Sequence, residues 1–520
     1  MILFILEYTW AYISSISLQT IIRCTLVVLV TALISCHVIQ KIKYLKKLPP
    51  GPWGLPILGC LPWMSQGAPH SWYLSLAARY GDLFSLKLGS NLVVCIGSPK
   101  ILRDVFNRLD STGRPHTPLN NLLGGFGIIL SEGELWKRQR QFLHEKFRAL
   151  GVKLWTNQRF EKFIIAEIEE FLSQLENRKG QALDPVLVFG RHMHNIICQL
   201  MMSFRFEEND PNFELFNERI SRGMKLYGSV HIGEHLSHYM KLPGKMAVLK
   251  EIQANLNDIC NFHEHHLKKR EEKYLNKRIG HYEPEDLLDY YVVQIQKEKD
   301  NDLLPSIFKD NCKVQQVVQV MNDLFSAGME TSRTAIVWIL IIMLKEPEVA
   351  AKVRSDLAEV VGVGNLVTLE DRLALPYVEA VIFETLRRVS VVPLGTSHVN
   401  LRKWEINGYM IPAGTIIVPL INKMNMDPEL FPEPEKFIPE RFLKNGKVFI
   451  PDYFMPFGVG RRVCLGEQLA RMELFLFFAN LMNHYEIAMP EGEAIPDLEG
   501  TFGTTHAPLS YKLVFKKLVT

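Results

Sequence analysis

The chain has 520 residues, 47% of them hydrophobic, and 59 basic against 56 acidic residues leave a formal charge of +3. That near-balance gives no case for nucleic acid, and eight cysteines, scattered without paired spacing, fit a reducing compartment better than a disulfide framework. Length alone allows about three domains; no repeat, low-complexity tract or linker divides the chain after residue 50, which predicts one large domain over 60–520.

The N-terminus differs in kind. From Leu18 to Ile39 the chain is mostly apolar, enough for a bilayer-crossing helix of about 20 residues. Lys41, Lys43, Lys46 and Lys47 follow, whereas only Glu7 is charged before Arg23, and this asymmetry puts the remainder in the cytosol. Arg23 departs from a clean anchor, but near the luminal end its side chain can snorkel to the headgroups. A cleaved signal peptide is the competing reading; the basic start and small-residue cleavage site that it requires are not evident. Residues 1–47 are therefore read as a membrane anchor with a basic stop-transfer segment. Residues 48–59, beginning Leu48-Pro49-Pro50-Gly51-Pro52, form a stiff proline-rich hinge that cannot be helical.

Residues 83–96 alternate around Gly89-Ser90-Asn91 as a hairpin does, and Asn407-Gly408 signals a second. Apolar periodicity predicts helices over 157–178, 185–203, 246–277, 314–345, 348–361, 376–389 and 466–483. The expected class is mainly α with small antiparallel sheets.

Several motifs fall on these elements. Trp136 and Arg140 lie four apart on one helical face. In the long helix from Val314, the run Ala327-Gly328-Met329-Glu330-Thr331 sets two poor helix formers close together, with Leu324, Gly328, Thr331 and Ala335 on one face. Glu384-Thr385-Leu386-Arg387 places opposite charges one turn apart in apolar surroundings, and Pro439-Glu440-Arg441-Phe442 brings another arginine. Most informative is Phe457-Gly458-Val459-Gly460-Arg461-Arg462-Val463-Cys464-Leu465-Gly466. A thiol ligates metal as thiolate, and a nearby cation or helix amide end favours that form. Glycines allow a tight turn, Phe457 shields the sulfur, and Arg462 can reach a carboxylate on the same cofactor. Zinc is disfavoured, since no Cys pair or Cys/His cluster accompanies Cys464.

This decapeptide is the cysteine signature of the cytochrome P-450 family, which the chain resembles from about Pro49 to its C-terminus. The resemblance implies the P-450 fold, with Cys464 as the proximal ligand of haem b and with oxygen activation as the chemistry. It assigns the haem propionates to Trp136, Arg140 and Arg462, more loosely to Arg114 and His398, and a proton relay to Glu330 and Thr331. Glu384, Arg387 and Arg441 become a buried structural network, and residues 48–59 resemble the hinge of microsomal members. Alignment places Phe126, Ala327, Val392, Thr396, Thr504 and Thr505 around the substrate. No dinucleotide or flavin module is evident, so electrons are expected from NADPH–cytochrome P-450 reductase at the endoplasmic reticulum membrane. The stretches 393–396, 456–462 and 470–478 look most like arthropod members hydroxylating ecdysteroid-type hormones. Fatty acids, sesquiterpenoids and xenobiotics stay open as substrates, with a haem-thiolate isomerase or dehydratase and a haem sensor as rival classes.

Overall fold

The computed structural model describes residues 18–518 apart from 53, 65–68, 118–119, 122, 155–157, 209, 230–234, 277–281, 302–305, 310–311 and 504. Thr504 and the first 17 residues of the expected anchor segment thus lie outside the described residues.

The helices are α1 (Leu18–Leu45), α2 (Pro69–Tyr80), α3 (Pro99–Asn107), α4 (Gly133–Ala149), α5 (Arg159–Asn177), α6 (Pro185–Met202), α7 (Pro211–Ser229), α8 (Pro243–Asn276), α9 (Leu287–Asp300), α10 (Lys313–Lys345), α11 (Pro347–Val360), α12 (Pro376–Val389), α13 (Ile421–Asn425) and α14 (Glu467–His484). Many open on proline, whose fixed φ suits the first turn and whose missing N–H would have no partner there. Others gain a side-chain cap: Asp184 accepts from Val186 N at 2.8 Å and Asp286 from Asp289 N at 2.9 Å. The seven helices expected from periodicity are present to within a few residues at each end. The expectations passed over α9, because charge interrupts its apolar stripe; a buried Asp286 cap and the apolar Leu287, Leu288, Tyr291, Val292 and Ile295 hold it.

The axis of the molecule is α10. Its C-terminal half, Ala335 to Met343, is buried without interruption, and the helix as a whole packs on α6, α8, α12 and α14. Such a helix satisfies a length-and-apolarity test for crossing a membrane, and its burial marks it as core. In α1 the short apolar stretch is Ile22–Leu33, and Leu26, Val28 and Leu33 are exposed.

The main sheet departs from the expected all-antiparallel pattern. β1 (Leu83–Leu88) and β2 (Asn91–Ile96) form the hairpin, with Leu83 opposite Ile96. β3 (His398–Val399) precedes a separate hairpin of β4 (Trp404–Ile406) and β5 (Tyr409–Ile411), whose Asn407 and Gly408 both have positive φ, as that turn requires. β6 (Ile416–Pro419) then pairs antiparallel with β3 but parallel with β2, so the order is β1-β2-β6-β3. A connection of some three hundred residues makes the parallel pairing possible.

The proline-rich segment is docked on this sheet. Ser85 N donates to Pro50 O at 2.8 Å and Ser85 Oγ to Pro49 O at 2.6 Å. At Gly51 any Cβ would lie 1.6 Å from Ser85 O, so only glycine fits the crossing.

Candidate functional site

Between the main sheet and α14 the chain forms the loop of Cys464. Gly458 and Gly460 adopt positive φ, a short 3-10 turn spans Gly460–Arg462, and Cys464 N donates to Phe457 O at 2.9 Å. Gly460 serves a contact that the sequence does not announce: a Cβ there would sit 2.2 Å from Phe106 O at the end of α3. The sulfur has an exposed face, yet burial is the largest influence on its acidity and pushes its pKa up. The N–H groups of Gly466 and Glu467 and the nearby Arg140 oppose that rise, as the N-terminus of α14 and a cation should.

Three guanidinium groups and a histidine converge beside this loop. Arg462 donates to Thr112 O at 3.0 Å, Ile129 O at 3.2 Å and Ser131 O at 2.6 Å, and lies over the Trp136 ring at 4.3 Å. Arg114 donates to Ile129 O at 2.9 Å and Ser397 O at 2.7 Å; Arg140 reaches Val463 O at 2.5 Å. His398 stacks on Phe106 at 3.8 Å, and its Nδ1 is buried with no hydrogen-bond partner among the described residues. Burial and the neighbouring cations pull Arg462 down to about 8; burial first, then Arg140 acting against Glu132, takes Arg114 to about 10. His398 is driven well below its ordinary value, by burial and then by Arg114 and Arg462. Two carboxylates temper the cluster. Glu132 accepts from Arg114 N. Asp323 of α10 accepts from Ile128 N at 2.7 Å and Ile129 N at 2.9 Å, and burial raises its pKa to about 6. Neither was singled out in the sequence, because each belongs to no motif and acts through loop amides.

On α10, Ala327 is exposed in the middle of a core helix, between buried Phe325 and Met329. Thr331 Oγ1 donates to Ala327 O at 2.8 Å. Gly328 faces elsewhere: a Cβ on it would lie 2.5 Å from Ile197 Cδ1, so this glycine permits the close crossing of α10 and α6. The Glu330 carboxylate is taken by Arg333 on one side and approached by Thr505 Oγ1 at 3.4 Å on the other.

The residues that alignment assigns to the substrate lie on separate segments of the chain. Thr505 is buried and directed to Glu330. Phe126, under the Lys309 ammonium at 5.1 Å, lines a cleft of about 640 Å³ with Cys260 and Val318. Val392 is half-buried against the main core and Thr396 is exposed.

Glu384 and Arg387 are both fully buried and joined by two 2.7 Å hydrogen bonds. Arg387 also donates to Asn425 O at 2.9 Å and Pro434 O at 2.8 Å, while Glu384 accepts from Ile438 N at 2.9 Å. Arg441 approaches Glu384 at 3.5 Å and donates to Glu433 O at 2.9 Å. The network fastens α12 to the segment that leads into the cysteine loop.

The cytochrome P450 family model matches residues 49–515. This chain belongs to that family. Curated relatives agree: cytochrome P450 18a1 of Drosophila melanogaster is 43% identical over 92% of this chain and 88% of its own. Cytochrome P450 2U1 of Rattus norvegicus is 31% identical over 90% of this chain and 91% of its own, and cytochrome P450 2D6 of Homo sapiens 30% over 95% and 99%. Cytochrome P450 proteins bind haem through a cysteine thiolate and are oxidoreductases of the monooxygenase type.

The residues in place fit that group. A flat dianion needs cations and donors on one side, and the depression of Arg462 by Arg114 and Arg140, together with the orphaned His398 Nδ1, describes a pocket short of negative charge.

Proposed function

We propose that this P450 is a membrane-anchored monooxygenase that hydroxylates a lipophilic substrate with O2 and electrons passed from NADPH by cytochrome P-450 reductase. The observation that carries it is the Cys464 loop facing the Arg114–Arg140–Arg462–His398 cluster. Cys464 would supply the thiolate that holds the haem, and Arg114, Arg140, Arg462 and His398 would hold its propionates, with Trp136 packed under Arg462. When bound, the haem supplies dioxygen activation, which thiolate donation favours.

The remaining roles belong to the chain. Phe457 holds the Cys464 amide through its carbonyl and shields the sulfur. Thr331 keeps a hydroxyl beside Ala327 O, where it can pass a proton; Glu330 supplies the acid of the relay from behind Arg333 and Thr505. The Glu384–Arg387–Arg441 network keeps the frame rigid, and the family resemblance assigns Phe126, Ala327, Val392, Thr396 and Thr505 to the substrate. α1 with the lysines after it is the anchor in the endoplasmic reticulum membrane, its exposed Leu26, Val28 and Leu33 suited to lipid. Arg461, exposed and fixed by Asn107 O at 2.7 Å, belongs to a basic face for the acidic reductase.

For substrate we infer an ecdysteroid-type steroid. The family resemblance of 393–396, 456–462 and 470–478 supports it, as does the extended similarity to an insect relative. The test is reconstitution with reductase and NADPH under ¹⁸O2, against panels of ecdysteroids, fatty acids, sesquiterpenoids and xenobiotics, read by mass spectrometry. One ¹⁸O atom in an ecdysteroid product is expected. Turnover confined to another panel discards the steroid assignment, and NADPH-independent rearrangement of peroxides discards the monooxygenase.

A further inference from the structure

We propose that the cleft between α5, α6 and α7 is a second ligand site, outside the haem cavity, for a small amphipathic carboxylate. Its volume is about 710 Å³, within the range of roughly 300–1,000 Å³ in which small-molecule sites fall. Leu175, Leu187, Val188 and Phe213 give it an apolar wall.

At its floor is Arg191. The residue is only 6% exposed, and neither Nη1 nor Nη2 has a hydrogen-bond partner among the described residues. Glu170 stands 3.4 Å from Nη2, longer than the ~2.7–2.9 Å of a charge-assisted hydrogen bond. That carboxylate is already engaged by Arg205 and by Gln174 Nε2 at 3.0 Å. A buried guanidinium with unmade hydrogen bonds is costly, and an anionic head group entering the cleft would complete it.

The rim sets the class of anion. Arg178 is matched by Glu208 at 3.6 Å and Arg222 by Glu251, whereas Glu214 and Glu218 add negative charge. One buried cation under a partly acidic rim favours a single carboxylate over a phosphate, and the apolar wall favours an alkyl or terpenoid tail. Asn217 forms part of the wall and accepts from Arg333 Nη1 at 3.2 Å. Arg333 in turn holds Glu330, so the cleft adjoins the contacts that fix the proposed proton donor.

The test is dodecanoate binding to the full-length holoprotein, with the haem iron saturated by an azole so that the substrate cavity is closed to the probe. Isothermal titration should find one dodecanoate per chain. Arg191→Gln should weaken it at least tenfold. Leu187→Glu, at a position 59% exposed on the lip, should weaken it similarly without disturbing the fold, and neither dodecanol nor inorganic phosphate should compete. No saturable binding to the azole-saturated protein would overturn the proposal, as would unchanged affinity in Leu187→Glu or phosphate competing as well as dodecanoate.

Discussion

The Glu330 carboxylate is bound by the Arg333 guanidinium one turn along α10, while the hydroxyl of its neighbour Thr331 turns back to Ala327 O. Acid and alcohol, adjacent in sequence, thus have separate partners. The pair is largely buried, with side-chain exposures of 7% for Arg333 and 12% for Glu330. Breaking such a pair strands a charge and costs about 3–5 kcal/mol. Glu330→Ala and Arg333→Ala should each lower the holoprotein's thermal midpoint, and the double variant should lose clearly less than the sum. Strict additivity in the same melts would show that the two charges do not interact.

Thr331→Ala should behave differently. Its hydroxyl makes one local hydrogen bond, so stability should change by about 1 kcal/mol or less, while the coupling of NADPH oxidation to product falls and hydrogen peroxide rises. Peroxide assay beside product quantification decides it; unchanged coupling removes Thr331 from the relay.

Much of this site was legible because its chemistry is concentrated in short motifs on strongly periodic helices. The cysteine loop, the Trp136/Arg140 face and the Glu384/Arg387 pair each lie within a turn or a tight loop, where spacing fixes proximity. Gly328 shows the limit: the sequence marks it as a poor helix former sharing a face with Thr331, while the structure sets it against Ile197, since which helix crosses there is a tertiary fact. Asp323 and Glu132 were invisible because their partners are backbone amides, although Arg333, one turn after Glu330, carried a readable helical pair signal. The parallel pairing of β2 with β6 was equally hidden, since strands that distant carry no local register.

Arg387→Ala should give protein that holds little haem. It would leave Glu384 buried with only Ile438 N and a 3.5 Å approach by Arg441, a loss of about 3–5 kcal/mol. Haem-to-protein ratio from pyridine haemochrome and absorbance measures this; a wild-type ratio would mean that the network does not support the pocket.

Glu473 of α14 predicts a pH dependence. It is buried, receives a 2.5 Å hydrogen bond from Ser332 of α10, and burial raises its pKa to about 8 from an ordinary 4.5, against the lowering pull of Ser332. Between those values the folded state keeps a proton that the unfolded chain has lost. Stability therefore falls as pH rises from about 4.5 towards 8 and levels off above, by on the order of a few kcal/mol. Glu473→Gln, always neutral, should flatten this slope in thermal melts from pH 5 to 8.5 and gain on wild type at the alkaline end. Equal slopes in both proteins would show that Glu473 is ionised throughout.

Cys464 as the haem thiolate underlies every assignment above, and the reduced, carbon-monoxide-bound absorption spectrum of the purified holoprotein reads that bond directly. The wild type should show the red-shifted Soret band of a thiolate-ligated ferrous haem, and Cys464→Ser should lose it even where haem is retained. The same red-shifted band in Cys464→Ser, or its absence from the intact wild type, would contradict the assignment.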